Sequence, residues 1–507
     1  MMCKTWRALG ALMLAMSLVV GGSALAQAAA TKHVILLVAD GSQLAHEVAA
    51  SRYLHGTDYG LSFHDMPQMA YVTTWDVDTY NYYADDEALG GGVDDYSESD
   101  FWPFAGYADY LKNVPSLPYP LSQDNAGTEA YFLRKRNGRN TTATDSGSSA
   151  TALATGKKTD AGNIAWKFGD PENGSIETIA EKVRRELGGA FGTTTTVPFN
   201  HATPASFIAH NIYRSNYSPE KKRSSFTGAT LAEEIVQTTQ PDVVIGAGHP
   251  DYAKGYITDD LMSEIKANND YIVVERSSGV NGGAALLSAA QQAASSGKKL
   301  FGLFGGTGGH FESPVPRNQP GNPQIDLATT ENPTYGQTIT AALTVLAQNP
   351  NAFFLMAEQG DVDWANHQND FQRMIGTMWD FDEGVKAAIA FVNLEGDNIT
   401  WDNTLLIVTA DHANSYMRFH QNLGAGVLPA QQVVGINMYG QDLFALINGE
   451  YTYRSDYHTN ELVTLYARGA GSELFNKYKG AWNRGNQIID NTHIFQVMRE
   501  ALGVSDN

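Results

Sequence analysis

Asp363 and His367 stand four residues apart in the stretch Glu358-Gln-Gly-Asp-Val-Asp-Trp-Ala-Asn-His. On a helix, that spacing aims both side chains from one face, one turn above the other. A carboxylate oxygen and an imidazole nitrogen offered together suit Zn2+, and Glu358 just upstream suits a harder cation. Alone, such a pair is more often an ordinary surface pair of a helix. Two other places change its meaning. The apolar run NTLLIVTA leads straight into Asp411-His412, and HVILLVA leads straight into Asp40-Gly41. Three apolar strands that each discharge acidic or His residues at their C-terminal ends describe a metal site on a parallel sheet.

A nucleophile and an anion clamp complete the set. Thr144-Asp-Ser-Gly-Ser-Ser-Ala-Thr-Ala-Leu-Ala-Thr-Gly156 reads as a loop entering a short Ala-rich helix that Gly156 stops. Ser146 then sits at a helix N-terminus, where free N–H groups and the helix dipole favour an anion. A serine hydroxyl becomes a nucleophile only when something withdraws its proton, which a nearby Zn2+ does. The competing reading is a plain Ser/Thr N-cap. Arg214 offers a planar fork that pairs two phosphate oxygens at once, although a single Arg is usually a surface residue.

Taken together these segments resemble the alkaline phosphatases. Asp145-Ser146-Gly-Ser-Ser-Ala-Thr is similar to that family's nucleophile signature, with Ala143 where Ile or Val is usual. The segment from His201 through Thr203 and His210 to Arg214 resembles the one carrying a magnesium-site threonine and the phosphate-binding arginine. The resemblance covers residues 32 to 503. It implies that Asp363, His367 and His458 hold a first Zn2+, and that Asp411 and His412 hold a second. It further implies that Asp40 bridges the second Zn2+ to an Mg2+ that Thr203 and Glu358 also bind. Ser146 would be phosphorylated, Arg214 would hold phosphate, and Asp145 would orient Arg214. His201 and Trp364 stand where some members carry Asp, and Lys or His, beside the substrate; His201 is expected to gain a charge below about pH 6.5. Gln359 replaces a usual Gly, Asn460 replaces the Gly of H-T-G-E, and Ser42-Gln43 depart from D-G-M-G. The family also implies a homodimer acting on small phosphate monoesters, with inorganic phosphate as product.

Rival chemistries fit less well. Sulfatases need a modifiable Cys or Ser in C/S-x-P-x-R, and Ser146-Gly-Ser-Ser-Ala lacks the Pro and the Arg. Nucleotide phosphodiesterases usually present Thr as nucleophile and no matching Arg. A secreted metal- or polysaccharide-binding protein with a dead site would lack at least one catalytic group, yet each is present.

The elements that must position these residues alternate. Strand-like runs fall at 33–39, 191–197, 242–246, 352–357 and 404–409. Helical patterns fit 42–55, 147–155, 175–187, 228–237, 283–296, 335–347, 370–392, 459–468 and 493–502. Such alternation predicts an α/β three-layer sandwich, with a large mostly parallel sheet and helices on both faces. No internal repeat or linker interrupts it, so residues 27–507 read as one domain with surface insertions. The acidic, Gly-rich stretch of about 73–135 reads as a solvated insertion, with Ca2+ binding as the sharper alternative. The segment of about 413–457 reads as a cap over the site.

Composition bounds the setting. The chain has 507 residues, 43% apolar and 18% charged, enough for a large core. Lys4 and Arg7, an apolar run and Ser23-Ala-Leu-Ala26 read as a secretory leader, residues 1–26. Its removal takes the net charge from −21 to −23 and removes Cys3, the one cysteine. An acidic chain of this kind argues against nucleic-acid or anionic-membrane partners. The expected destination is the periplasm or the extracellular medium.

Overall fold

The computed structural model describes residues 31–84, 132–136, 139–140, 142–480 and 486–506. Among them, ten strands form one sheet: β1 (His33–Ala39), β2 (Gln68–Thr73), β3 (Ala190–Pro198), β4 (Val243–Ala247), β5 (Tyr271–Glu275), β6 (Lys299–Leu303), β7 (Phe353–Gln359), β8 (Thr404–Thr409), β9 (Val463–Gly469) and β10 (Ile488–Asp490). Their spatial order is β10-β2-β9-β8-β1-β7-β3-β4-β6-β5. Only β9 runs antiparallel to its neighbours β8 and β2; the remaining pairs are parallel.

Alternation along β1 explains the layers. Val34, Leu36 and Val38 face one core, shared with the helices Ser146–Thr155, Ile179–Leu187, Ala202–Ile208 and Thr492–Leu502. Ile35, Leu37 and Ala39 face the other, shared with Leu44–His55, Gly282–Ser296, Tyr335–Leu346 and Phe371–Val392. Each central strand is buried on both faces, so it reads as a continuous apolar run rather than an alternating one.

The main departure from expectation is 459–468, which is a strand rather than a helix. Val463, Leu465 and Ala467 enter one core while Tyr466 enters the other, a two-residue period. Leu, Glu and Ala in that segment favour helix, but antiparallel pairing on both sides overrides the propensity. The pattern at 228–237 also yields less helix than expected: three α residues, Leu231–Glu233, followed by a π-turn over Glu234–Thr239. The expected insertion does not begin at 73. Thr73 belongs to β2, and Trp75, Val77 and Tyr80 are buried as the chain enters the helix Val77–Ala84. Residues 85–131, the bulk of the acidic stretch, lie outside the described residues. The segment 413–457 contains short two-residue strands and one hairpin, Gln431–Ile436 with Asp442–Leu446.

Candidate active site

Register alone gathers the first three acidic groups. Val38 of β1 pairs with Glu358 of β7 and with Thr409 of β8, so Asp40 and Asp411 emerge at one level of the sheet and Glu358 two residues below them. Beyond Asp40 the chain must turn tightly. Gly41 has φ +70°, and a Cβ there would stand 2.8 Å from Asp363 Cα, so only glycine fits. Its N–H donates to Asp411 Oδ1 at 3.1 Å. After β7 the chain enters the helix Asp361–His367, which brings Asp363 and His367 round to the same place. Gln359, the residue standing for a usual glycine, is the hinge of that turn. Its Oε1 accepts Thr196 Oγ1 at 2.8 Å and Asp361 N at 2.9 Å, and its Nε2 donates to Asp380 at 2.8 Å.

The ligand atoms converge in three groups: Asp363 with His367 and His458, Asp40 with Asp363 and His412, and Asp40 with His201 and Glu358. In the first, His367 Nε2 lies 3.2 Å from His458 Nε2 and 3.2 Å from Asp363 Oδ2. The far nitrogens are fixed: His367 Nδ1 meets Asp456 O at 2.8 Å and His458 Nδ1 meets Thr144 O at 2.9 Å. Carbonyls only accept, so both Nδ1 atoms carry the proton and both Nε2 lone pairs point inward, as metal-ligating histidines are held. His412 Nε2 lies 3.3 Å from Asp40 Oδ1, 3.3 Å from Asp411 Oδ2 and 3.2 Å from Ser146 Oγ.

The residues fit cations. Asp40, Glu358 and Asp411 are fully buried. Both oxygens of Asp40, Glu358 Oε1, Asp411 Oδ2 and Thr203 Oγ1 find no hydrogen-bond partner among the described residues. Buried carboxylates left so would cost several kcal/mol each unless neutralised. Without cations, burial and the neighbouring Asp411, Asp363 and Glu358 push Asp40 well above the usual carboxylate range. Burial, with Asp411 nearby, likewise raises Glu358 to about 7 against the hydrogen bond from Thr195.

Ser146 and Arg214 border this cluster, through His412 and His201 respectively. Asp145 caps the helix Ser146–Thr155 by accepting Ser148 N at 3.0 Å, which makes Ser146 its first residue. Asp145 Oδ2 binds Arg214 Nη1 at 2.6 Å, and Gly162 ties the two together: its N–H donates to Asp145 at 2.8 Å while its carbonyl accepts Arg214 N at 2.7 Å. Burial would raise Asp145, but the Arg214 charge and these N–H groups hold it well below the ordinary range. Arg214 shifts the opposite way, held above its usual value by Asp145 against burial.

Sequence similarity identifies the family. The family model for alkaline phosphatase matches residues 122–437. Alkaline phosphatase H of Pseudomonas aeruginosa is 30% identical over 425 residues, 79% of this chain and 81% of its own. The chain belongs to the alkaline phosphatase family. Membership makes it a metal-dependent phosphomonoesterase. The Escherichia coli alkaline phosphatase is 26% identical over 425 residues, again 79% of this chain and 81% of its own. The solved structure of a TAB5 alkaline phosphatase variant with bound Mg shares the fold at a TM-score of 0.58 and 18% identity, covering 95% of this chain and 100% of that one.

Two residues singled out in the sequence, His201 and Trp364, lie together at the edge of the site. His201 is near the phosphate side, its Nε2 3.4 Å from Arg214 Nη2, but it also belongs to the Asp40–Glu358 group. Burial and the Arg214 charge push it down to about 3, so it stays neutral instead of charging below pH 6.5. Trp364, half-buried, meets His201 edge-on at 5.9 Å and His310 at 5.0 Å. Residues that motif reading passed over complete the site. Asn414 donates to Asp363 Oδ1 at 2.7 Å, and the Thr195 hydroxyl donates to Glu358. Their signal was weak, since a lone Asn or Thr beside a strand end carries no spacing rule.

Proposed function

We propose that this family member hydrolyses phosphate monoesters through a phosphoserine on Ser146, with two Zn2+ and one Mg2+. Asp363, His367 and His458 would hold the first Zn2+, and Asp411 and His412 the second. Asp40 would bridge the second to the Mg2+, with Thr203 and Glu358. When bound, these cations supply Lewis acidity that favours the deprotonated serine and water and neutralises the departing alkoxide. The observation that carries the reading is the meeting of Ser146 Oγ, at a helix N-terminus, with His412 Nε2 and the unpartnered carboxylates, beside the Asp145–Arg214 pair.

In the first half-reaction Ser146 Oγ bonds to phosphorus, the P–O bond to the alcohol breaks, and the alcohol leaves with the proton that Ser146 gave up. Arg214 grips two non-bridging oxygens, with Asp145 fixing the plane of its guanidinium. In the second half-reaction water bonds to phosphorus, the Oγ–P bond breaks, a proton from that water goes to Ser146 Oγ, and inorganic phosphate leaves. A transition state rich in charge is served by such positioning and electrostatics. His201 and Trp364 line the phosphate side without adding fixed charge.

This reading also takes residues 1–26 as a cleaved leader, the remainder as one domain, and the mature enzyme as an exported homodimer. No helix among the described residues is long and apolar enough to cross a membrane. The segment 413–457 acts as a cap, and its contacts with Asp363 and His367 support that role. The test is metal analysis of purified protein beside turnover of an aryl phosphomonoester and its diester. Two Zn2+ and one Mg2+ with strong preference for the monoester are expected; metal-free protein with full activity, or preference for the diester, would refute the reading.

A further inference from the structure

The hairpin 431–446 lies against the chain that follows His367. Phe444 N donates to Gln368 O at 2.8 Å, and Gln431 Nε2 donates to Asp370 Oδ1 at 2.8 Å. At its tip, buried Asn437 donates Nδ2 to His367 O at 3.0 Å. Asn437 Oδ1 accepts the N–H groups of Tyr439 and Gln441 at 3.0 Å each, and its carbonyl accepts Gly440 N at 3.0 Å. A tip tied at four points holds its side chains in fixed directions.

Tyr439 is the side chain so aimed. Its ring meets the His367 ring edge-on, centroids 4.9 Å apart, yet Tyr439 stays 53% exposed and Met438 beside it 63% exposed. Tyr457 stands on the same side, its ring 5.6 Å from that of His367. Large apolar side chains this open, at the mouth of a hydrolytic centre, mark a contact surface.

The substrate phosphate belongs between Ser146 and Arg214, and in-line displacement sends the alcohol away from Ser146. His412 is the ligand that touches Ser146; on the reaction proposed above, the alcohol leaves toward the Asp363–His367–His458 group, against which Tyr439 packs. We propose that Tyr439, with Met438, determines specificity for the alcohol half of the ester, favouring flat aromatic leaving groups over small aliphatic ones. This inference rests on the reaction proposed above. Offset or edge-on packing of one aromatic ring on another alters affinity by roughly twofold to tenfold.

The test compares kcat/KM for phenyl phosphate and glycerol 2-phosphate in metal-loaded wild type, Tyr439→Ala and Tyr439→Phe. The phenyl-to-glyceryl ratio should fall by roughly threefold to tenfold in Tyr439→Ala, carried by KM, and be kept in Tyr439→Phe. Inhibition by inorganic phosphate, which lacks the alcohol, should be equal in all three. An unchanged ratio, or equal losses on both esters, would overturn the assignment. So would a change of sedimenting mass in Tyr439→Ala, which would make the ring part of a subunit contact. Wild-type protein that hydrolyses neither ester would sink the phosphomonoesterase reading itself, a result distinct from the others.

Discussion

On the proposed reaction Ser146 and Arg214 divide the labour at the level of single residues, and their variants should fail differently. Ser146→Ala removes the acceptor of the phosphoryl group, so kcat should fall by roughly three orders of magnitude or more while metal content stays normal. Acid trapping should yield phosphoserine from wild type; phosphothreonine, or no phosphoenzyme, would make Ser146 the wrong nucleophile. Arg214→Ala removes a charge-assisted clamp worth roughly 1.5–3 kcal/mol, or about 10-fold to 100-fold in kcat/KM, and should weaken inhibition by phosphate. Asp145 would keep its N–H donors from Ser148 and Gly162, so the variant should still fold. Trp364 and neutral His201 bring no fixed charge to the phosphate side. Trp364→Lys should therefore tighten phosphate inhibition, and His201→Asp should make activity less dependent on added Mg2+. Unchanged inhibition and unchanged Mg2+ response in folded variants would return both residues to packing.

Among the elements, the segment 201–214 carries Thr203, His201 and Arg214, and a buried ion pair fastens its middle. His210 Nδ1 lies 2.8 Å from Glu234 Oε1 and its Nε2 lies 3.4 Å from Glu181 Oε2. Burial alone would lower this imidazole, but the hydrogen bonds and charges of Glu181 and Glu234 raise it to about 10. A folded-state value above the unfolded one means the stabilisation is full below about pH 6.5 and fades as pH rises toward about 10. His210→Gln should lower stability at pH 7 by roughly 1.5–3 kcal/mol, with a difference from wild type that shrinks toward pH 10. Thermal melts of the metal-loaded proteins across that range measure it. A difference constant with pH would mean that His210 acts only by packing.

For the whole molecule, cations are structural as well as catalytic. Each one present at about a thousand times its Kd should add roughly 4 kcal/mol to stability, so prolonged chelation should lower Tm as well as abolish phosphate release. In the chelated protein Glu358, raised to about 7, binds a proton that the unfolded chain has lost. Stability of that form should fall as pH rises from about 5 through 7, and Zn2+ with Mg2+ should remove the slope. A chelated protein with unchanged Tm would show the carboxylates to be content without metal. Much of this was legible in the chain itself. Apolar runs ending in Asp40, Glu358 and Asp411 announce parallel strands with ligands at their tips, because a strand buried on both faces must be continuously apolar. The Asp363–His367 spacing and the capped entry to Ser146 are likewise local, set within one turn of helix. What the sequence left open was decided by long-range pairing. The segment 463–469 became the antiparallel strand because its neighbours offered hydrogen bonds on both sides. His201 lost its expected charge because the fold buries it beside Arg214. Asn414 and Tyr439 gained their places because the segment 413–457 folds back over helix Asp361–His367. Burial, partner and charge environment depend on residues outside the local segment, and only packing brings those into contact.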